Sequence, residues 1–343
     1  MSLHGHYARF FTPSSETRPE DLLQEIELFV QLLADAGWFP YETGQWEATM
    51  GLFLTGERLC HIYFDATSHK LTALIYNNIA LIYNSMYKPE ESMKYTKMSL
   101  TIREKCLSAD DPEMGNSYAN FGHTLIDTGR YEEAQSYYLR AVEVHERAKI
   151  PSSDLLEGAY TCMGMSMLYL NRLLEAESWL GKAVDQHKYF DPPNFFVAFT
   201  LFTMGSLRMK QNRWTEAEAM VRKSLGLLIT IKGPNARFVG VCQHHLAFIR
   251  HQQGDKEESI TLLQKAISVF RVPSETQPGL LQRSLLKLAS ILDELDKKNC
   301  FLEASQIRDE VREHCLRDPN IRNIPLDSEK DWKNIVQVGY RCI

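Results

Sequence analysis

The residues best suited by type to do chemistry are Cys162, His123 and Asp127. A thiol beside an imidazole supplies a nucleophile and its base, and a carboxylate one helical turn from the histidine can orient the ring. A second group is His244, His245 and His251. Imidazole is a common zinc ligand, but residues 244 and 251 stand two turns apart on a helix, about 10.5 Å of rise, too far to share one ion. Residues 244 and 245 point in different directions. A third group, Arg283 and Lys287, places two cations on one helical face, where they suit a carboxylate. The chain contains no G-x-S-x-G, no H-E-x-x-H and no G-x-x-x-x-G-K-[ST] loop, so no cofactor and no metal are expected, and the question of catalysis rests on the thiol group alone.

The elements that must hold these residues are visible as a repeat. Small residues recur at Gly37, Ala80, Gly122, Gly164, Gly205, Ala247 and Ala289, at intervals of 41 to 43 residues. Twelve residues after each comes a second small side chain, at Thr49, Ser92, Ala134, Ala176, Ala217 and Ser259. Seven further on comes a third, at Gly56, Ser99, Ala141, Ala183, Ser224 and Ala266. Two helices approach closely only where neither presents bulk, and a spacing of seven keeps two positions on one face. The pattern therefore predicts a helical hairpin in each unit. Turn signals at Thr43-Gly44, Thr128-Gly129, Asn171-Arg172, Asn212-Arg213 and Gly254-Asp255 fall between the paired helices, and proline-marked loops separate the hairpins. The end units depart from the pattern: Pro40 falls inside the first helix of the first unit, and in the seventh the second small residue, Ala304, comes three positions late.

This arrangement resembles the tetratricopeptide repeat, lengthened from its usual period of about 34 residues. Asn78 to Tyr83 echoes the repeats of kinesin light chain, Ala36 to Trp46 is similar to the first unit of the repeat arrays of fungal receptor-type ATPases, and the tail from Glu329 to Val336 resembles the ends of such arrays. The resemblance implies an all-α, right-handed helical-hairpin solenoid of seven hairpins with a C-terminal capping helix around Trp332, Ile335 and Val336. The expected organisation is a flexible leader over 1–16, the solenoid over 17–316, and a loop and capping helix over 317–343.

In such solenoids the first helix of each hairpin lines a concave groove. Carried over position by position, the resemblance places Asn77, Asn78, Asn84, Asn116, Asn120 and His123 toward one end. Tyr169, Phe202 and Met209 fall in the middle, with Met165 and Phe199 beside them. His244, His245, Phe248, His251, Arg283 and Lys287 fall toward the other end. Asparagine both donates and accepts, so a row of them can hold an extended backbone; aromatic and methionine side chains can bury an apolar anchor, and a basic end can hold a carboxylate. The pattern is not the full carboxylate clamp of chaperone-binding relatives, because Phe202, Ser206 and His245 stand where polar clamp residues are expected. The plain alternative for Met165, Phe199 and Met209 is packing between hairpins.

The main functional expectation is a non-enzymatic scaffold that binds a peptide or protein through an extended, acid-flanked segment. One alternative is the ligand-sensing or oligomerisation domain of a receptor-type ATPase. Another is a small-molecule-binding or catalytic solenoid in secondary metabolism, working through His123, Cys162 and Tyr169. The net charge of −6 argues against nucleic acid as a partner. Seven scattered cysteines without a C-x-x-C pair point to reduced thiols, and neither of the two longest uncharged runs, Leu71 to Tyr87 with its three asparagines and Pro192 to Leu207 with its two prolines, is a good membrane span, so a cytoplasmic location is expected.

Overall fold

The computed structural model describes residues 19–38, 45–86, 88–147, 154–186, 192–272, 278–295 and 298–317. Within them fourteen helices follow one another without a strand. They are α1 (Pro19–Ala36), α2 (Trp46–Tyr63), α3 (Lys70–Ser85), α4 (Pro89–Cys106), α5 (Pro112–Asp127), α6 (Tyr131–Arg147) and α7 (Asp154–Tyr169). The series continues with α8 (Leu173–Gln186), α9 (Phe195–Lys210), α10 (Trp214–Lys232), α11 (Arg237–Gln252), α12 (Lys256–Phe270), α13 (Pro278–Asp293) and α14 (Lys298–Arg317). From α3 onward each odd-numbered helix packs chiefly on the even-numbered helix after it, and that second helix packs on the first helix of the next hairpin. The result is the expected solenoid of seven hairpins. The leader, Pro40, Thr43-Gly44 and the capping helix around Trp332 lie outside the described residues.

The seam works as the spacing predicts. A Cβ built on Gly122 would lie 2.6 Å from Cε1 of Tyr138, whose side chain is wholly buried in the facing helix. Gly164 meets Leu180 and Gly205 meets Val221 at the same offset. On the second helices Ala134, Ala141, Ala176, Ala183, Ala217 and Ala266 have no solvent exposure. At three of the seam serines the contact gains a hydrogen bond: Ser99 Oγ donates to the Ala73 carbonyl, Ser224 Oγ to Ala198 and Ser259 Oγ to Ala247, each at 2.7 Å. In the first unit Gly37 falls just past the end of α1 instead of within it, yet still packs on Phe53.

The turns within hairpins have one shared geometry. Gly129, Asn171, Asn212 and Gly254 all adopt positive φ, between 56° and 88°. Glycine and asparagine tolerate that left-handed conformation better than other residues. The following amide then reaches back five residues, from Arg130 to Leu125, Arg172 to Met167, Arg213 to Arg208 and Asp255 to Arg250, each at 2.9 Å. This satisfies carbonyls left over at the helix end. Helix starts are capped by side chains: Asp111, Asn194 and Asp255 accept from Glu113, Val197 and Glu258 amides.

Overpacking the seam should therefore be costly. Gly122→Val should lower the unfolding free energy by about 1–3 kcal/mol. Gly226→Ala, on the exposed face of α10 with nothing near the added methyl, should raise it by about 0.5–1 kcal/mol. Chemical denaturation of the two variants checks both signs, and a neutral Gly122→Val would remove the seam from the account of the fold.

Candidate functional site

Because the second helices alternate with the first around the solenoid, the first helices of hairpins two to six converge on one hollow. Side chains of α3, α5, α7, α9 and α11, with Ser92 and Thr96 of α4, line a half-open cavity of about 350 Å³. One side is polar, with Asn77 and Asn84 from α3 and Asn120, His123 and Asp127 from α5. The other is aromatic, with Phe195, Phe196, Phe199 and Phe202 from α9 and Phe238 from α11, joined by Arg237 and His245. The phenyl rings pack on one another, Phe195 stacking on Phe199 at 6.1 Å and meeting Phe238 edge-on at 5.5 Å, while Phe202 covers His245 at 4.5 Å. A second hollow of about 660 Å³ shares Asn77, Asn120, His123, Cys162 and Phe196 and extends past Asn116 toward Trp38 and Lys70.

The polar side is a ladder between neighbouring hairpins. Asn120 Nδ2 donates to Asn77 Oδ1 at 2.8 Å, and Asn84 Nδ2 donates to Asp127 Oδ2. The first pair uses one donor and one acceptor. It leaves the Asn77 amide nitrogen and the Asn120 oxygen uncommitted among the described residues, a complement to the C=O and N–H of one peptide unit.

The structure brings Cys162 and His123 together, with Sγ 3.4 Å from Nε2. Burial then opposes the chemistry that types alone propose. It pushes the Cys162 thiol up to about 12 and the His123 imidazole down to about 4, so the proton stays on sulfur and no thiolate–imidazolium pair forms. The other ring nitrogen, Nδ1, faces the Tyr138 hydroxyl at 3.0 Å. Asp127 does not orient the ring; its carboxylate is taken by Asn84. Burial raises Asp127 to about 7, against the Asn84 hydrogen bond and the charge of Arg237, which both pull it down.

The remaining expected residues divide. His244 Nδ1 pairs with Ser284 Oγ at 2.9 Å, His245 Nδ1 donates to the Val241 carbonyl at 2.9 Å, and His251 Nε2 meets Glu294 at 3.0 Å. The three rings thus diverge to three partners. Among the described residues no group of three or more His, Cys, Asp or Glu is placed to hold a metal ion. Arg283 and Lys287, expected at a basic groove end, are buried in the last hairpin, with the Lys287 ammonium 5.0 Å over the Phe248 ring, and neither lines the two hollows described above. Asn78 is buried in the interior and Met209 in the core between hairpins; Tyr169 stacks on Tyr131 at 5.0 Å. Desolvation explains the difference: a position that faces inward on one helix is covered wherever the next hairpin leans over it.

Phe195, Phe196, Arg237 and Phe238 escaped the sequence reading. They occupy the first residues of α9 and α11, ahead of the positions that line a groove in the shorter repeat. The signal was present in the lengthened period, which adds a turn whose side chains the shorter register does not number.

The described helices form a tetratricopeptide-like solenoid with a half-open inner cavity. Residues 71–147 and 196–272 match the tetratricopeptide repeat family profile. No curated protein matches the chain. Among solved structures, NprR in complex with its cognate peptide NprX is 13% identical, with a TM-score of 0.62 over 92% of this chain and 91% of that one. A Rap protein complexed with competence and sporulation factor is 10% identical, with a TM-score of 0.57 over 89% and 95%. A signal transduction ATPase with numerous domains and a tetratricopeptide repeat sensor, from Pyrococcus horikoshii, is 15% identical, with a TM-score of 0.57 over 87% of this chain and 44% of that one. At these identities the likeness is one of fold.

Two outcomes follow from the buried groups. Iodoacetamide at neutral pH should modify exposed Cys106 and spare Cys162, read by mass spectrometry of the digested protein; rapid modification of Cys162 would reinstate it as a nucleophile. A carboxyl raised from 3.8 to about 7 holds its proton in the native state where the unfolded chain has lost it, so ionising Asp127 costs stability as pH rises through that window. Asp127→Asn should therefore gain stability relative to the natural chain between about pH 4 and about pH 7, with a flat difference above. Paired thermal melts across that range measure it.

Proposed function

We propose that this chain is a peptide- or protein-binding scaffold whose ligand lies as an extended segment along the inner face. The observation that carries the reading is the two-sided cavity, with amides of Asn77 and Asn120 opposite the phenyl wall of α9 and α11. A backbone unit can pair with the amides while an apolar side chain enters among the rings, and a cavity of this size holds one large side chain or a small molecule. Two structures of the same fold were solved with a bound peptide or factor, which supports the reading by analogy. Arg237, which lines the cavity, is the proposed partner for an acidic flank of the ligand. The solenoid is assigned to residues 17–316, with a leader over 1–16 and a closing segment over 317–343, and a cytoplasmic location is proposed from the free thiols.

A random-peptide display library panned against the purified chain tests this. Enriched peptides should carry an apolar anchor and should bind Asn120→Ala and Phe199→Ala at least about tenfold more weakly, about 1.4 kcal/mol by calorimetry. Peptides that bind both variants unchanged would place the site elsewhere. A chain that enriches no peptide but retains a small organic molecule in native mass spectrometry would replace the peptide reading with a small-molecule one.

A further inference from the structure

The outer face of α1 differs from its counterparts in every later hairpin. Ile26, Val30, Leu33 and Ala34 bury one side of this helix against α2 and α3. On the opposite side Leu28 and Leu32, one turn apart, are 66% and 59% exposed. Counted from the small seam residue of each unit, Leu32 corresponds to Ile75, Ser117, Ala159, Thr200, Cys242 and Ser284, each at most 4% exposed. In those units the preceding hairpin covers the position: Arg103 of α4 donates to Ser117, and the Ser224 hydroxyl of α10 lies 3.8 Å from the Cys242 sulfur. The first hairpin thus presents a stacking face that no other described hairpin covers.

Charge narrows what can sit on it. α1 holds Glu20, Asp21, Glu25, Glu27 and Asp35 and no Lys, Arg or His. Glu25 and Asp35 are exposed and flank the two leucines. A second copy of the same face would set carboxylates against carboxylates, which is unfavourable. The complementary occupant is apolar and cationic, and the segment directly ahead of α1 has that composition. Leu3, Tyr7, Phe10 and Phe11 stand at spacings of 4, 3 and 1, a pattern that groups them on one side of a helix. His4, His6 and Arg9 accompany them, and no acid occurs before Glu16. Residues 12–18, with Pro13 among them, separate Phe11 from α1. Residues 107–111 suffice to turn the chain from α4 into α5, so the longer stretch 12–18 is enough to lead residues 3–11 back along α1. Attachment to the same chain also gives this segment a high effective concentration at the face.

We infer that the outer face of α1, centred on Leu28 and Leu32, is the docking surface for residues 3–11 of the same chain. Tyr7, Phe10 and Phe11 cover the leucines, and Arg9 is set against the Glu25 and Asp35 carboxylates. The segment takes the place on α1 that a preceding hairpin takes on each later first helix. Gln31, on the next ridge of α1, lines the second hollow, so the docked segment borders the rim of that hollow. The inference does not rest on the groove reading above.

Photocrosslinking on the full chain tests it. With Leu28→p-benzoylphenylalanine, irradiation of dilute protein should link position 28 to residues 3–11 within one chain, read by mass spectrometry of the digest. Hydrogen exchange on the unlabelled chain gives a second readout. The double substitution Phe10→Ser, Phe11→Ser should speed exchange of the α1 amides at least about tenfold, because it removes apolar cover worth about that factor or more. Amides of α9 to α12 should exchange as in the natural chain, which shows that the variant is folded. Links from position 28 to a second chain would overturn the proposal in favour of self-association. An absence of links to residues 1–18, or α1 exchange unchanged by the double substitution, would overturn it outright.

Discussion

Everything in this solenoid depends on how closely the two helices of a hairpin can approach. At Gly122 even a methyl group would collide with the buried Tyr138 ring, and the same steric demand returns at Gly164 and Gly205. Close approach fixes which face of each first helix is spent on its partner. The face left over points into the superhelix, and repetition at a constant period aligns those faces. The inner cavity is therefore a by-product of the seam, built without a single residue needing to be placed for it alone.

That origin explains the character of the cavity. Its polar ladder joins equivalent positions of successive hairpins, Asn77 with Asn120 and Asn84 with Asp127, so the groups available to a ligand also fix the stacking of hairpins two and three. Its aromatic wall comes from two neighbouring hairpins, α9 and α11, whose first turns reach beyond the usual groove. Burial then decides the chemistry. It holds histidines 123 and 245 neutral and the Cys162 thiol protonated, which favours binding over nucleophilic catalysis, and it keeps Asp127 near the balance between acid and anion.

Much of this was legible in the residues. Positive φ at four hairpin turns demands glycine or asparagine, and those residues stand there. Groove positions assigned by register placed Asn77, Asn84, Asn120, His123, Phe202 and His245 on the cavity. The same register failed for Arg283 and Lys287, which the last hairpin buries, and for Tyr169, which spends its ring on Tyr131. It had no number for Phe195 or Arg237, because the added turn precedes the first position it counts.

The sequence by itself determined the helices, the turns, the period and the pairing within each hairpin, because those follow from contacts and dihedral preferences inside one unit. Only the tertiary structure decided which inward positions stay open. Curvature accumulates over several hairpins and brings Asn77 of the second and Arg237 of the sixth to one hollow, a closeness that no local spacing encodes. Desolvation depends on that same accumulated geometry, so the charge states of Asp127, His123 and Cys162 were settled by the fold and not by their residue types.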